Sequence, residues 1–189
     1  MKIEQFVMAY GVEQDRLRAI LPEGFASLRP VLRINGGSRD GAEGYLEFNT
    51  AVEKDGVRGW LNIGRWSNVS FTKTGKTTAF RTELLEISFT GMGLAGGCSA
   101  EQDNAGCFFL DGSSRAAEHD KKFCDCAFAW QLPGGAHGVS IGKTLPAIPT
   151  EMKVAYPKQA CTVENAAVIP CGQVLGTYQV TFDRVSAPK

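Results

Sequence analysis

Short strand-like runs joined by glycine turns constrain this sequence more than any other feature. Residues 45–52 alternate in polarity and are rich in aromatic and β-branched side chains, and residues 57–66 form a second such run. Asp55-Gly56 lies between them, and an Asp-Gly pair readily takes the positive φ angles that a two-residue hairpin turn requires. Closely spaced strands with such turns predict a mostly antiparallel sheet or barrel and disfavour βαβ units.

Other segments fit the same fold class. A second hairpin is predicted between residues 69–71 and 78–80, and further strands are predicted within 84–90, 124–131, 138–141 and 174–182. The helical spacing of Leu17, Ile20 and Leu21 predicts a helix over 12–21, which Pro22 ends. We expect a loop over 22–30, and a loop or short helix over 111–122. The sequence therefore predicts a mostly β, α+β fold, with one domain spanning residues 1–189.

Charge and cysteine content exclude several classes of partner. The 20 basic and 20 acidic residues balance, which argues against a nucleic-acid partner. No apolar run approaches the roughly 20 residues of a membrane span, and the first residues lack the apolar run of a signal peptide. We therefore expect a cytoplasmic protein with all six cysteines reduced and at least four of them buried. Cys124 and Cys126 lack a second close pair, so neither a metal nor a cofactor is predicted.

Two glycine motifs match known patterns without the context that those patterns need. Residues 91–96 match the dinucleotide-binding fingerprint, but the glycine-containing sequence that follows has no room for the long helix that would face the pyrophosphate. Gly138-Val139-Ser140-Ile141-Gly142 matches the nucleophile elbow of serine hydrolases. Both histidines precede Ser140, and two prolines shortly after it prevent a helix. We predict neither activity.

Three segments follow one another in order over residues 5–160. They are Leu17-Arg18-Ala19-Ile20-Leu21-Pro22-Glu23, then Gly44-Tyr45-Leu46-Glu47, and finally Gly138-Val139-Ser140-Ile141-Gly142-Lys143 continuing through Pro149 to Tyr156-Pro157-Lys158. Taken together, these segments resemble the acetoacetate decarboxylase superfamily. The resemblance implies a closed or cone-like antiparallel β-barrel with a few peripheral helices. It also implies an interior pocket and assembly into a homo-oligomer.

The resemblance fails at the family's nucleophile. Family enzymes form a Schiff base between a lysine and a keto acid, and the imine accepts the electrons released when carbon dioxide leaves. Aligned forwards from Gly142, the family's lysine pair falls on Thr150 and Glu151. Aligned backwards from Tyr156, the pair falls on Met152 and Lys153, so only the second, supporting lysine is matched. Lys153 is the one candidate for the Schiff base.

Glu47 matches the family's active-site glutamate. Alternation places Glu47 on one face with Tyr45 and Asn49, although either face of a barrel can be the interior. Glu151 would complete a pair of catalytic carboxylates. Arg65 and Lys143 are candidate partners for a substrate carboxylate, because an acid ligand requires a positive charge. Tyr45, on the same face as Glu47, is a third candidate substrate-binding residue.

These residues lead to one principal hypothesis and two alternatives. The first is an acetoacetate-decarboxylase-like protein that acts on a small keto acid or related carbonyl compound, without the usual Schiff-base lysine. Proton transfer, hydration or tautomerisation through Glu47 and Glu151 would then be the chemistry. The alternatives are a non-catalytic barrel that binds a small metabolite, and a true decarboxylase that uses Lys153.

Overall fold

The computed structural model describes residues 1–83, 85–90, 106–112, 114–116, 125–129, 138–143, 160–167 and 169–183. In chain order the described elements are β1 (Lys2–Gly11), α1 (Gln14–Ile20), β2 (Ala26–Arg39), β3 (Glu43–Lys54), β4 (Val57–Ser67), β5 (Ser70–Thr74), β6 (Thr77–Arg81), β7 (Glu86–Thr90), β8 (Gly106–Phe109), β9 (Ser114–Ala116), β10 (Asp125–Ala129), β11 (Gly138–Lys143), α2 (Val163–Ala167) and β12 (Val174–Asp183). Neither helix described here is long and apolar enough to cross a membrane.

The strands form two sheets. Eight strands run in the order β10-β12-β1-β2-β3-β4-β8-β9, and four run in the order β11-β7-β6-β5. Every described pairing is antiparallel except that of β4 with β8. The prediction of a mostly β, mostly antiparallel fold is therefore confirmed.

The locally encoded elements are confirmed. Helix α1 lies within the predicted helix, and β3 and β4 form the predicted hairpin. Asp55 and Gly56 take φ angles of 52° and 76°, as the turn requires. The second predicted hairpin is β5–β6. Strands β7, β10, β11 and β12 lie where strands were predicted, with ends that differ by a few residues.

The elements that depend on distant pairing were not predicted. Strand β1 was missed because consecutive residues such as Phe6, Val7 and Met8 are all buried, which hides the alternation of a half-buried strand. The expected loop over 22–30 is wrong at its end, since β2 already begins at Ala26 and pairs with β3. The register shift between Ser27 and Leu32 accommodates Pro30, which lacks an N–H for the ladder.

The segment predicted as a loop or short helix is also corrected. Within 111–122, residues 114–116 form β9, which pairs with β8. Helix α2 had no sequence prediction and packs against β4 and α1.

The main core lies between the two sheets and α1. Alternate residues of β2 and β3, among them Leu32, Ile34, Leu46 and Phe48, are fully buried on one face of the large sheet. Phe80 of the small sheet packs against Gly36 of β2, where a Cβ would lie 2.7 Å from the Phe80 ring. Each such buried side chain contributes roughly 1.5–3 kcal/mol, so this face stabilises the fold.

The opposite face of the large sheet differs in chemistry. It carries Gln5 on β1, Arg33 and Asn35 on β2, and Tyr45 and Asn49 on β3, all of them buried. Buried polar groups cost stability unless they are paired, so a buried polar face is unusual for a core and typical of a site.

Candidate functional site

Glu47 lies in the middle of the buried polar face and is half-buried. Its Oε1 accepts a hydrogen bond from Nδ2 of Asn35 at 3.0 Å, and its Oε2 accepts one from Nδ2 of Asn62 at 3.3 Å. The two amides come from the strands on either side of β3. The carboxylate is therefore held from both sides in one orientation, with acceptor capacity left over for a ligand.

A β-bulge in β4 brings two polar side chains to the Glu47 face. Phe48 pairs with Gly64 and Asn49 pairs with Asn62, so Ile63 is the extra residue in β4. Regular alternation would place Arg65 on the side of Ile63, in the apolar core. The bulge restarts the alternation, and Arg65 pairs directly with Glu47.

Tyr45 forms a wall of the site at one end. Its hydroxyl donates to Oε1 of Gln5 at 2.8 Å, and its ring lies against Gly37, where any side chain would collide with it. The guanidinium of Arg65 lies 4.5 Å from the centre of this ring, and that of Arg39 lies 5.7 Å away. Arg65 itself is exposed, so it lies at the rim of the polar face.

Arg33 and Trp60 stack at the other end of the face. The guanidinium carbon of Arg33 lies 3.9 Å from the centre of the Trp60 ring, and both residues are 6 % exposed. Between them and Glu47 lies Asn49, whose Oδ1 accepts a hydrogen bond from Asn62 at 3.3 Å. The face therefore contains a connected network of amides, with Glu47 as its carboxylate and a buried arginine at its end.

No protein-family model and no curated protein matches the sequence. Solved structures do match its fold. Acetoacetate decarboxylase from Legionella pneumophila superposes with a TM-score of 0.62 at 13 % identity, over 96 % of this chain and 81 % of that one. The enduracididine biosynthesis enzyme MppR complexed with pyruvate gives 0.59 at 13 % identity, over 96 % and 84 %. An acetoacetate decarboxylase-like enzyme from Sphingomonas wittichii gives 0.53 at 11 % identity, over 96 % and 89 %.

The chain has the acetoacetate decarboxylase-like fold. The resemblance that three short segments suggested is thereby confirmed at the level of fold. The agreement extends over nearly the whole chain, so it includes the eight-stranded sheet that carries Glu47.

Within this acetoacetate decarboxylase-like fold, the structure describes some of the predicted site residues. Glu47, Tyr45 and Arg65 lie together on one face, as described above. Lys143 ends β11 of the four-stranded sheet, where it pairs with Glu86, and only its backbone is described. Glu151 and Lys153 lie outside the described residues, as do the glycine motif at 91–96 and Thr150.

Ser140 lies inside a strand. It pairs with Ser88 in the middle of β11, whereas a nucleophile elbow requires the serine at a sharp turn between a strand and a helix. The rejection of a serine hydrolase is confirmed on this point.

Several residues of the site were missed by sequence reasoning, namely Arg33, Asn35, Asn62 and Trp60. Arg33 and Asn35 alternate with Leu32 and Ile34, a period-two pattern that would have revealed both the strand and its polar face. Gly64 inside a predicted strand was the corresponding signal for the bulge.

Two of the described cysteines are not activated nucleophiles. Cys107, Cys161 and Cys171 are free thiols. Burial raises the pKa of Cys161 to about 12 and also raises that of Cys171, so neither is a thiolate at neutral pH. Cys161 is buried and Cys171 is exposed, so the prediction of four buried cysteines now depends on side chains outside the described part. Within that part, no three His, Cys, Asp or Glu side chains group as metal ligands.

Proposed function

We propose that the buried polar face binds a small keto acid or a related carbonyl compound, and that Glu47 transfers a proton to or from it. The observation that carries this proposal is the Glu47 carboxylate, which Asn35 and Asn62 fix within a network of side-chain amides. MppR, which shares the fold, has been seen complexed with pyruvate. That similarity supports a keto acid as the ligand class.

The proposed step is proton abstraction next to a carbonyl group. Glu47 takes a proton from the carbon beside the carbonyl, and the electron pair of the broken C–H bond moves to the carbonyl oxygen to form an enolate. The positive charges of Arg33 and Arg65 on the same face would favour that negative charge. Return of the proton to another atom gives tautomerisation.

A Schiff base is not part of this proposal. The positions of this face that the structure describes hold no lysine, and Thr150 stands where the family's nucleophile is expected. Glu151 remains the proposed second carboxylate, and Lys143 and Tyr45 remain proposed substrate contacts. Decarboxylation through Lys153, or binding without catalysis, are the competing functions.

The proposal also includes the remaining expectations for this fold. We expect the sheets to close into the cone-like barrel of the family, and the protein to be a cytoplasmic homo-oligomer. These expectations follow from the family resemblance and from the charge and cysteine content of the sequence.

Deuterium exchange into pyruvate and acetoacetate, followed by proton NMR in D2O, tests the proposed chemistry. Wild-type protein should accelerate exchange at the carbon beside the carbonyl, and Glu47→Gln should lower that rate about 100-fold or more. Glu53→Gln is the matched control, because Glu53 lies on the same strand and face but forms an exposed ion pair with Arg58. An equal rate in Glu47→Gln would contradict the role of Glu47. Binding without any exchange would favour the non-catalytic alternative.

A further inference from the structure

Three buried hydrogen-bond donors lie together at the end of the polar face where Arg33 stacks on Trp60. They belong to the Arg33 guanidinium, the Asn49 amide and the Trp60 indole, in side chains that are only 5–6 % exposed. Asn49 pairs with Arg33 on one side, and Trp60 pairs with Ala51, the next residue of β3 on this face. Arg33 therefore extends across β3 to reach Trp60, where the small Ala51 leaves room.

The hydrogen-bond network determines which end of the Asn49 amide points away from Asn62. An ionised carboxylate can only accept, so Asn62 must direct its Nδ2 at Glu47. The same Nδ2 donates to Oδ1 of Asn49, which turns the Asn49 nitrogen away from Asn62. The orientation of Asn49 is thus set by the charge of Glu47.

Two of these donors lack acceptors. Nδ2 of Asn49 and Nε1 of Trp60 are buried and meet no hydrogen-bond acceptor among the described residues. An indole N–H can only donate, and a guanidinium adds a fixed positive charge. A buried donor without an acceptor costs stability, and an acceptor oxygen of a bound anion would remove that cost.

We propose that Arg33, Asn49 and Trp60 form a carboxylate-binding subsite for the substrate of Glu47. This rests on the proposed function, and it moves the principal carboxylate contact from the exposed Arg65 to the buried Arg33. Asn49 and Glu47 are two residues apart on one strand, about 7 Å between Cα atoms. A carboxylate held at Asn49 therefore leaves space for a short chain before Glu47, which favours keto acids of about three to five carbon atoms over longer ones.

Calorimetric binding of pyruvate and of its uncharged methyl ester tests the subsite. Wild-type protein should bind pyruvate at least tenfold more tightly than the ester. Trp60→Phe keeps the ring under Arg33 but removes the N–H, and it should raise the Kd for pyruvate about 5- to 20-fold while leaving the ester unchanged. Asn49→Leu should also raise the Kd for pyruvate. Trp66→Phe is the matched control, because Trp66 packs against Phe48 on the apolar side.

The outcomes separate the subsite from the proposed catalysis. An unchanged pyruvate Kd in a folded Trp60→Phe, or equal binding of acid and ester by wild type, or no binding of pyruvate at all, would overturn the subsite. Glu47→Gln should lose proton exchange while still preferring pyruvate to its methyl ester. Selective binding that depends on Trp60 but occurs without exchange would retain the subsite and reject the proposed catalysis. Exchange that depends on Glu47 but not on Trp60 would retain the proposed catalysis and reject the subsite.

Discussion

A single amide, that of Asn62, joins the two halves of the polar face. Its nitrogen donates to the Glu47 carboxylate and to the Asn49 carbonyl oxygen, at 3.3 Å in each case. Neither neighbour can replace it, because both present acceptors towards it. The chemical identity of this residue therefore matters more than its volume.

We predict that Asn62→Asp destabilises the protein in a pH-dependent way. The change replaces a shared donor by a second carboxylate about 3 Å from Glu47, and two such groups cannot both stay ionised at ordinary cost. Two adjacent carboxylates repel each other when both are ionised, so protonation of one of them relieves part of the destabilisation as the pH falls. Urea unfolding should show that the free energy of unfolding falls by about 2–3 kcal/mol at pH 8 and by less at pH 5.

Asn68→Asp is the matched control for this measurement. Asn68 lies between β4 and β5 with a φ of 56°, a conformation that Asn and Asp both tolerate, and it is exposed. The free energy of unfolding of the Asn68→Asp variant should differ from that of wild type by less than about 0.5 kcal/mol at either pH. A loss in Asn62→Asp that does not depend on pH would mean that the two carboxylates do not interact.

Because of its bulge, strand β4 places neighbouring side chains on both faces of the sheet. Ile63 is buried in the core, while Asn62 and Arg65 on either side of it belong to the polar face. Gly64 completes the bulge, and Val163 of helix α2 packs directly against it, where a Cβ would collide. The short helix therefore lies directly behind the segment that supplies two side chains to the site.

We predict that Gly64→Ala destabilises the protein and that Val163→Ala relieves the effect. The added methyl group overlaps Cγ1 of Val163, a stiff side chain, at a cost of about 1–3 kcal/mol. Removing Cγ1 in the double variant leaves space for the methyl group, so the double variant should be more stable than the sum of the two single changes predicts. Thermal unfolding of all four proteins measures this coupling.

Gly11→Ala is a suitable reference, since a Cβ there meets only ordinary contacts of 3.7 Å or more. It should unfold within about 1 kcal/mol of wild type. Additive losses in the Gly64 and Val163 pair would show that the strain at Gly64 has another source.

Prediction from sequence succeeded where the information is local. The Asp55-Gly56 turn fixed the β3–β4 hairpin, and with it the shared face of Tyr45 and Glu47. It failed where pairing with a distant strand decides the outcome, as in β1 and the start of β2. The bulge at Ile63 belongs to the second kind, because only its register with β3 reveals that Arg65 faces Glu47.

At the scale of the whole molecule, the eight-stranded sheet has two buried faces with different roles. One face is apolar and packs against the small sheet and α1. The other buries Gln5, Arg33, Asn35 and Asn49, which contribute little net stability for the area that they cover. Stability and the candidate site are therefore assigned to opposite sides of the same strands.

We predict that acetoacetate plus borohydride traps no stoichiometric adduct on this protein. Borohydride reduces an imine to a permanent bond, but Thr150 at the expected nucleophile position cannot form an imine. Lys153 has Glu151 two residues away, and a nearby carboxylate favours the unreactive ammonium form. Intact-mass measurement after reduction, with decarboxylation compared against free amines, checks this expectation. One adduct on Lys153, abolished by Lys153→Ala, would establish the decarboxylase function instead.

Two consecutive glycines of β2 bring the apolar core and the polar face of the eight-stranded sheet close together. Gly36 faces Phe80 in the core and Gly37 faces Tyr45 on the polar side, so for two residues the strand has no side chain on either face. The partition between core and site is here one peptide backbone thick. On the core side, Phe80 in turn contacts Phe6, Phe71 and Phe89. The Tyr45 wall of the candidate site is therefore backed by the aromatic core across a single backbone.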